Sequence, residues 1–407
     1  MKISPEGLKE LREFVHNEKH SWSFVKTMRM RFETTSAVGL IDEVDAGSKE
    51  EAIGRAVRTA HRILSLLKEM GVKFDEVEPS HGIGHLIRGY LHALRLAKGM
   101  EVEPKQLFIG MLGGIFHDIL GCIMVKRYDE NKRAVRHAEG GGIFLHYLGS
   151  NVSLSLMERL IGFYGVAAHT HYLKPITVLC EDDVNRESTP YVDLDEFGKP
   201  IMCIHLTRWT DRLDVNGPTF FGRHFLTPEE SHKDFDGENY YSVKFQNHMN
   251  PFPRNEEEIK NSGYKTMREH ITMFAKSQNN QSPYGKYDYG IMSEIRDSYT
   301  ARLLRIISAF DGSEKFSDDQ KTALRKKWKQ WLIHNIEPNK NTEFVAENLD
   351  RMFLSLNNKI KDRWYNVFSV VLQEYAGWAK DMLSAIEDFP EEYFLLPVLG
   401  DVRKILY

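Results

Sequence analysis

Apolar residues recur every three or four positions along most of the chain, which is typical of amphipathic α-helices. Ser48 is followed three residues later by Glu51, which is a capping-box pattern, and the apolar run behind it keeps helical spacing until Gly71. Residues 81–97, HGIGHLIRGYLHALRLA, follow the same rule. The pattern therefore predicts an all-α fold.

The same spacing predicts further helices and the segments between them. The predicted helical ranges are about 104–117, 136–148, 154–169, 201–213, 290–310, 317–335, 343–362 and 364–387. Residues 181–200 are acidic and turn-rich, so we expect a long loop there, with room for a short hairpin over a site. The predicted domains are an N-terminal helical region (1–77), a core (78–215), a loop-rich lid or connection (216–289) and a C-terminal helical region (290–407).

Composition narrows the class of protein. The chain has 407 residues, of which 42% are hydrophobic and 28% charged, with a formal net charge of -4. These values are ordinary for a globular protein and argue against coating of a polyanion, so we expect no nucleic-acid partner. Three scattered cysteines exclude a disulfide framework and a thiolate zinc site. Neither a signal peptide nor an apolar run of about 18 residues is present, so we expect a cytoplasmic protein without a membrane partner.

One face of the helix predicted over residues 81–97 is polar. His81, His85, Arg88 and His92 are separated by offsets that place them on one side of an α-helix, while apolar residues fill the other. His92 lies about 16 Å along the axis from His81, which is too far to reach the same ion. This polar face therefore carries imidazole groups at one end and a guanidinium group beside them.

Other candidate ligands fall at or near predicted helix ends. The full set is His81, His85, His117, Asp118, His137, His169, His171 and Asp211. Imidazole and carboxylate groups are ligands for zinc, iron, manganese or nickel. In the adjacent pair of His117 and Asp118, the histidine can hold one ion while the carboxylate bridges to a second. The sequence thus predicts two divalent transition-metal ions.

The order H…HD…H…H…D resembles that of the HD-domain superfamily of metal-dependent phosphohydrolases. The resemblance covers about residues 78–215 and is carried by the segments HGIGHLIRG, GGIFHDIL, VRHAEGGG, AAHTH and RWTDRLD. It implies that an HD-type helical core binds the metal ions. One departure is Ile119, which follows the HD pair where many relatives have a phosphate-binding lysine. The candidate replacements are Lys126, Arg127, Arg133, Arg136 and Arg212.

The resemblance also implies roles for individual residues. The implied ligands of the first ion are His85, His117, Asp118 and Asp211. Asp118 would bridge to a second ion, which His137 and either His169 or His171 would hold. His81 would bind a third ion or protonate the leaving group, and Arg88 would face a bound anion.

Besides hydrolysis, two alternative functions are compatible with the sequence. The expected reaction is hydrolysis of a phosphomonoester or phosphodiester by a metal-bridging hydroxide, with a nucleotide-like small molecule as substrate because residues 216–289 are rich in aromatic rings. The alternatives are an HD-type di-iron oxygenase and a non-catalytic nucleotide sensor. A homo-oligomer is compatible with the sequence, and the C-terminal region carries no motif that we connect to chemistry.

The remaining histidines are assigned to structure or surface, namely His92, His146, His205 and His224. Asp214, three residues after Asp211, is predicted to be a hydrogen-bond acceptor at a helix end rather than a ligand.

Overall fold

The computed structural model describes residues 4–75, 82–123, 137–169, 191–226 and 290–407. These residues are 77% helical with almost no strands, so the predicted all-α fold class is confirmed. Within the described ranges, no helix is both long and apolar enough to cross a membrane. Of the loop-rich lid or connection predicted over 216–289, residues 218–226 form a helix instead of a loop, and residues 227–289 lie outside the described residues, as do residues 170–190.

Fifteen α-helices account for most of the described chain. They are α1 (Pro5–His16), α2 (Glu18–Glu33), α3 (Ala37–Asp42), α4 (Lys49–Glu69), α5 (Ile83–Gly99), α6 (Pro104–Phe116), α7 (Ile119–Ile123), α8 (His137–Asn151), α9 (Leu156–Ala167), α10 (Met202–Asn216), α11 (Pro218–Leu226), α12 (Ile291–Ser308), α13 (Asp318–Trp331), α14 (Lys340–Leu354) and α15 (Asn358–Ile386). A π-helical turn, Leu332–Ile336, follows α13, and the strands β1 (Leu395–Leu396) and β2 (Gly400–Asp401) form a small antiparallel pair.

The described residues group into two compact units. The first draws on Met1–Phe74, Leu86–Arg212 and Asp388–Val402, and the second on Asp75–His85, Leu213–Glu387 and Arg403–Tyr407. The division passes through α5 and α10, each of which is one continuous helix. The four domains predicted from the sequence stay a prediction.

In the first unit, small residues bring helices close together. A Cβ atom added to Gly113 of α6 would lie 2.1 Å from the hydroxyl of Thr207 on α10, and one on Gly114 would lie 2.5 Å from that of Thr210. A Cβ on Gly142 of α8 would lie 2.7 Å from the Phe163 carbonyl oxygen on α9. Only glycine permits such approaches, because any side chain would overlap the neighbouring atoms. The backbones of α6 and α10, and those of α8 and α9, therefore lie close together.

In the second unit, aromatic rings fill the space between helices. Trp328 of α13 stacks on Phe368 of α15, with ring centroids 4.4 Å apart. Phe353 of α14 lies 5.2 Å from both Phe368 and Tyr365. Stacked and edge-on rings at these distances contribute attraction beyond the area that they bury.

The predicted helix boundaries agree best with the structure where the sequence contains a clear capping residue. The Ser48 hydroxyl accepts a hydrogen bond from the Glu51 amide at the start of α4, as the pattern predicts. The predicted break between residues 362 and 364 is wrong: α15 is continuous there and begins at Asn358, because the Asn357 side chain caps it through the Ile360 amide.

Candidate metal centre

His117 lies at the end of α6, where its ring is held by the helix itself. The Nδ1 atom donates to the Gly114 carbonyl at 2.8 Å, so the ring carries its proton on Nδ1. Gly89 of α5 lets that helix approach the last turn of α6, since a Cβ there would lie 3.3 Å from the Gly114 carbonyl oxygen. The side chain is almost fully buried. In the neutral ring, Nε2 therefore presents its lone pair to the groups around it.

His169 follows α9 and repeats this arrangement. Its Nδ1 atom donates to the Val166 carbonyl at 2.6 Å, and the side chain is buried. The turn is anchored by Arg208 of α10, whose Nε donates to the Ala168 carbonyl at 2.9 Å and whose Nη1 binds Asp193 at 2.6 Å. Nε2 of His169 is again left for a ligand.

His85 lies in the first turn of α5 and uses a carboxylate instead of a carbonyl. Its Nδ1 atom is 2.6 Å from Oδ2 of Asp214, and both side chains are fully buried. An ionised carboxylate only accepts hydrogen bonds, so Nδ1 is the protonated nitrogen. In their neutral forms, His85, His117 and His169 therefore all leave Nε2 as the unprotonated nitrogen.

Asp118 faces two groups of ring nitrogens with its two oxygens. Oδ2 lies 3.7 Å from Nε2 of His117, while Oδ1 lies 3.6 Å from Nε2 of His137 and 3.7 Å from Nε2 of His169. Asp211 adds a second carboxylate, whose Oδ1 is 3.6 Å from Nε2 of His117. Asp118 therefore has the geometry of a bridging carboxylate.

The possible ligand atoms form two sets. In the first set, one atom each from His85, His117, Asp118 and Asp211 lies within 4.8 Å of the others; in the second, the same holds for Asp118, His137 and His169. The sets have four and three members, which suits two ions that share Asp118.

The spacing fits metal ligation better than hydrogen bonding. Separations of 3.6–3.7 Å between nitrogen and oxygen are too long for hydrogen bonds. Two atoms that each lie about 2.1 Å from one ion, at angles of about 90–120°, are roughly 3.0–3.6 Å apart. The donor set of imidazole and carboxylate, without thiolate, suits manganese, iron, nickel or zinc. The residues present therefore fit two such ions.

The pKa shifts show how strongly this cluster attracts positive charge. Burial alone would lower the pKa of His117, but Asp118 and Asp211 raise it to about 9. Burial and the positive charge on His117 lower the pKa of His169 to about 3. Burial alone would raise the pKa of Asp211, yet the positively charged groups of His117 and Arg212 beside it hold the pKa below its ordinary value. A divalent ion would replace the proton on His117 and satisfy both carboxylates.

Six of the residues predicted as ligands lie together at this centre, namely His85, His117, Asp118, His137, His169 and Asp211. His81 and His171 lie outside the described residues, as do the basic candidates between 126 and 136. Arg88 is fully buried on α5, one turn after His85, and its role toward an anion stays a prediction. Arg212 is also buried, with Nε 4.0 Å from Oδ2 of Asp211.

Two contacts of the ligands were not anticipated from the sequence. One is the hydrogen bond between His85 and Asp214, which are 129 positions apart. The other is the hydrogen bond from Arg208 to the Ala168 carbonyl, in the turn before His169. The one signal for the first was the spacing of Asp211 and Asp214, which places both on one face of α10. Nothing in the local sequence around Arg208 indicates its partner.

Comparison with other proteins adds no family to this description: no family model, no curated protein and no solved structure matches the chain.

Proposed function

We propose that the protein is a metal-dependent phosphohydrolase that hydrolyses a phosphomonoester or phosphodiester of a nucleotide-like small molecule. The observation that carries the proposal is the position of Asp118: its Oδ2 atom lies 3.7 Å from Nε2 of His117, while its Oδ1 atom lies 3.6–3.7 Å from Nε2 of both His137 and His169. A carboxylate in that position offsets the repulsion between two divalent ions held a few ångströms apart.

The ligands divide between the two ions. His85, His117 and Asp211 would hold the first with one oxygen of Asp118, and His137 and His169 would hold the second with the other. Two divalent ions would supply Lewis acidity toward a phosphoryl oxygen and an activated water as the nucleophile.

The protein's own groups have three tasks in this reaction. The main-chain carbonyls of Gly114 and Val166 keep the rings of His117 and His169 in the tautomer that ligation requires. The cationic Arg88 is proposed to balance the charge that develops on the phosphoryl oxygens. His81 is proposed to donate the proton that the leaving oxygen needs.

The buried position of the cluster supports the proposal. His85, His117 and His169 are almost fully buried, whereas the side chain of His137 is 32% exposed. Charged groups that are withdrawn from water to this extent destabilise a fold unless they are paired or bind a cation. The side of the centre at His137 is the one that solvent and a small substrate reach.

Asp118→Asn tests the proposal. Because Asp118 belongs to both sets of ligands, we expect the variant to lose at least one ion per chain and all phosphate release. Metal content is measured by elemental mass spectrometry on untagged protein, and hydrolysis with an aryl phosphate diester and a panel of nucleotides. Asp388→Asn, which neutralises an exposed carboxylate paired with Lys98, serves as the matched control and should retain both.

The outcomes separate the possible functions. Two manganese, nickel or zinc ions with phosphate release support the phosphohydrolase. Two irons without phosphate release would assign the centre to a di-iron oxygenase instead. Full metal content and activity in Asp118→Asn would contradict the proposal.

A further inference from the structure

The contact between His85 and Asp214 is unlike the contacts of the other two buried histidines. His117 and His169 each donate to a carbonyl within their own turn, three residues back. His85 lies in the first turn of α5, where no preceding helical carbonyl exists. Its partner is a carboxylate 129 residues later in the chain, at 2.6 Å. The orientation of this one ring therefore depends on a distant side chain.

Asp214 is itself fixed by other groups. Its Oδ2 atom accepts a hydrogen bond from Nη1 of Arg223 at 3.2 Å, and its Oδ1 atom lies 3.1 Å from the Thr219 hydroxyl. That hydroxyl also lies 2.8 Å from the Asp214 carbonyl, which ties the end of α10 to the start of α11. All three side chains are buried. The carboxylate thus has little freedom to turn away from His85.

The backbone of the same turn of α5 is also held by a carboxylate. The Gly84 amide lies 3.0 Å from both oxygens of Glu337, which is fully buried. A carboxylate at a helix N-terminus satisfies free amide groups and interacts favourably with the helix dipole. Glu337 therefore fixes where the turn lies, and Asp214 fixes which way the His85 ring faces.

We propose that Asp214 is a positioning residue for His85: it holds the proton on Nδ1 and aims Nε2 into the first set of ligands. The inference rests on the metal centre of the proposed function, but not on the reaction that the centre catalyses. A carboxylate behind a ligating histidine fixes the tautomer and makes the ring a better donor, and its removal weakens metal affinity by about 10- to 100-fold. Asp214 would thereby contribute to binding of the first ion without touching it.

Titration of the metal-free protein with Mn²⁺ tests the inference. The EPR signal of free Mn²⁺ gives the affinity and the number of sites without any substrate. We expect two ions per chain in the unmodified protein. Asp214→Asn should weaken one site by about 10- to 100-fold and leave the site of Asp118, His137 and His169 unchanged. Asp214→Glu keeps the charge and moves the carboxylate by one methylene, and it should weaken the same site.

Glu158→Gln is the matched control for loss of stability. Glu158 is a buried carboxylate that pairs with Arg55 at 2.5 Å and caps α9, far from His85 in the chain. Its neutralisation removes a buried ion pair, as Asp214→Asn does, but it touches none of the proposed ligands. We expect it to lower the midpoint of chemical unfolding and to leave both Mn²⁺ affinities unchanged.

A double-mutant cycle with His85→Ala separates positioning from a general structural effect. If Asp214 acts through His85, Asp214→Asn should cause no further loss of Mn²⁺ affinity once His85 is absent. Equal losses in both backgrounds would overturn the inference, as would unchanged affinity in both Asp214 variants or an equal loss in Glu158→Gln. An unmodified protein that binds no Mn²⁺ would overturn it too. Two Mn²⁺ sites with the expected cycle, but no hydrolysis, would remove the proposed function and leave the positioning role standing.

Discussion

The helices that carry the candidate metal ligands and the helices at the C-terminal end are packed in opposite ways. In the first unit, α6, α8 and α9 use glycines to bring backbones into contact, and Gly141 of α8 comes within 3.0 Å of the His117 carbonyl when a Cβ is added. In the second unit, rings such as Trp328, Phe353 and Phe368 separate α13, α14 and α15. Aspartate and histidine side chains are short, so ligands from different helices meet only where backbones are close. Aromatic packing gives stability without that closeness.

The largest expected effect is a loss of stability without a loss of metal. Phe353→Ala removes a ring that is 1% exposed and contacts Tyr365 and Phe368. Truncation of a buried phenylalanine costs about 3–5 kcal/mol, so the free energy of unfolding should fall by that amount. Chemical denaturation measures the change. Mn²⁺ affinity of the folded protein should stay the same.

The neighbouring Leu354→Ala is the control for that variant. Leu354 is 44% exposed, so its truncation should change the free energy of unfolding by less than about 0.5 kcal/mol. A loss of Mn²⁺ affinity in Phe353→Ala would break the comparison, because the aromatic packing would then support the ligands as well.

The second prediction concerns a methyl group added between two ligand-bearing helices. Gly113→Ala would place a Cβ 2.1 Å from the Thr207 hydroxyl, which pushes α6 from α10 and so separates His117 from Asp211. Overpacking of this kind costs about 2–3 kcal/mol, and Mn²⁺ affinity should fall with it. Thermal unfolding and Mn²⁺ titration report the two effects.

Removal of the opposing hydroxyl should reverse this change. In Gly113→Ala with Thr207→Ala, the clash is relieved, so stability and Mn²⁺ affinity should recover together. Thr207→Ala alone should have only a small effect on metal. Recovery of stability without recovery of affinity would show that the contact between α6 and α10 does not set the distance between the ligands.

The sequence predicts the candidate ligands themselves better than it predicts the residues that hold those ligands in place. Helical periodicity and the cap at Ser48 identify the helices, and the order of His and Asp residues identifies six candidate ligands that lie together. The partners of those ligands depend on contacts between distant segments, as with His85 and Asp214, and no local pattern encodes them. The boundary at Asn358 was missed because apolar periodicity continues on both sides of the turn that Asn357 caps.

The third prediction concerns the loss of stability of the first unit in acid, to which His146 contributes. Burial, assisted by the charge of Arg159, lowers the pKa of His146 on α8 to about 4. An unfolded chain binds a proton at this residue with a pKa of about 6.5, so the contribution of His146 to stability is complete above that pH and is lost as the pH falls toward 4. Between pH 7.5 and pH 5 the loss should be about 1–2 kcal/mol.

Comparison of unfolding curves at the two pH values isolates this contribution. His146→Phe keeps a ring beside Phe24, whose centroid lies 5.4 Å away, but does not titrate, so its pH dependence should be shallower by about 1–2 kcal/mol. His20→Gln, at an exposed position, should retain the full dependence of the unmodified protein. Identical slopes for His146→Phe and the unmodified protein would mean that other groups destabilise the fold in acid.

The smallest expected effect lies at the surface of the second unit. Glu374 of α15 accepts hydrogen bonds from Arg302 and Arg305 of α12, but the Arg305 side chain is 54% exposed. Water and salt screen such a pair, so Arg305→Ala should lower the free energy of unfolding by less than about 1 kcal/mol, and by less still in 1 M salt.

Glu374→Ala should lower the free energy of unfolding by more, because it leaves Arg302, which is 16% exposed, without this carboxylate. Chemical denaturation at low and high salt measures both variants. If Arg305→Ala costs as much as Phe353→Ala, then ion pairs rather than aromatic rings hold α12 to α15, and the contrast between the two kinds of packing would not extend to this helix pair.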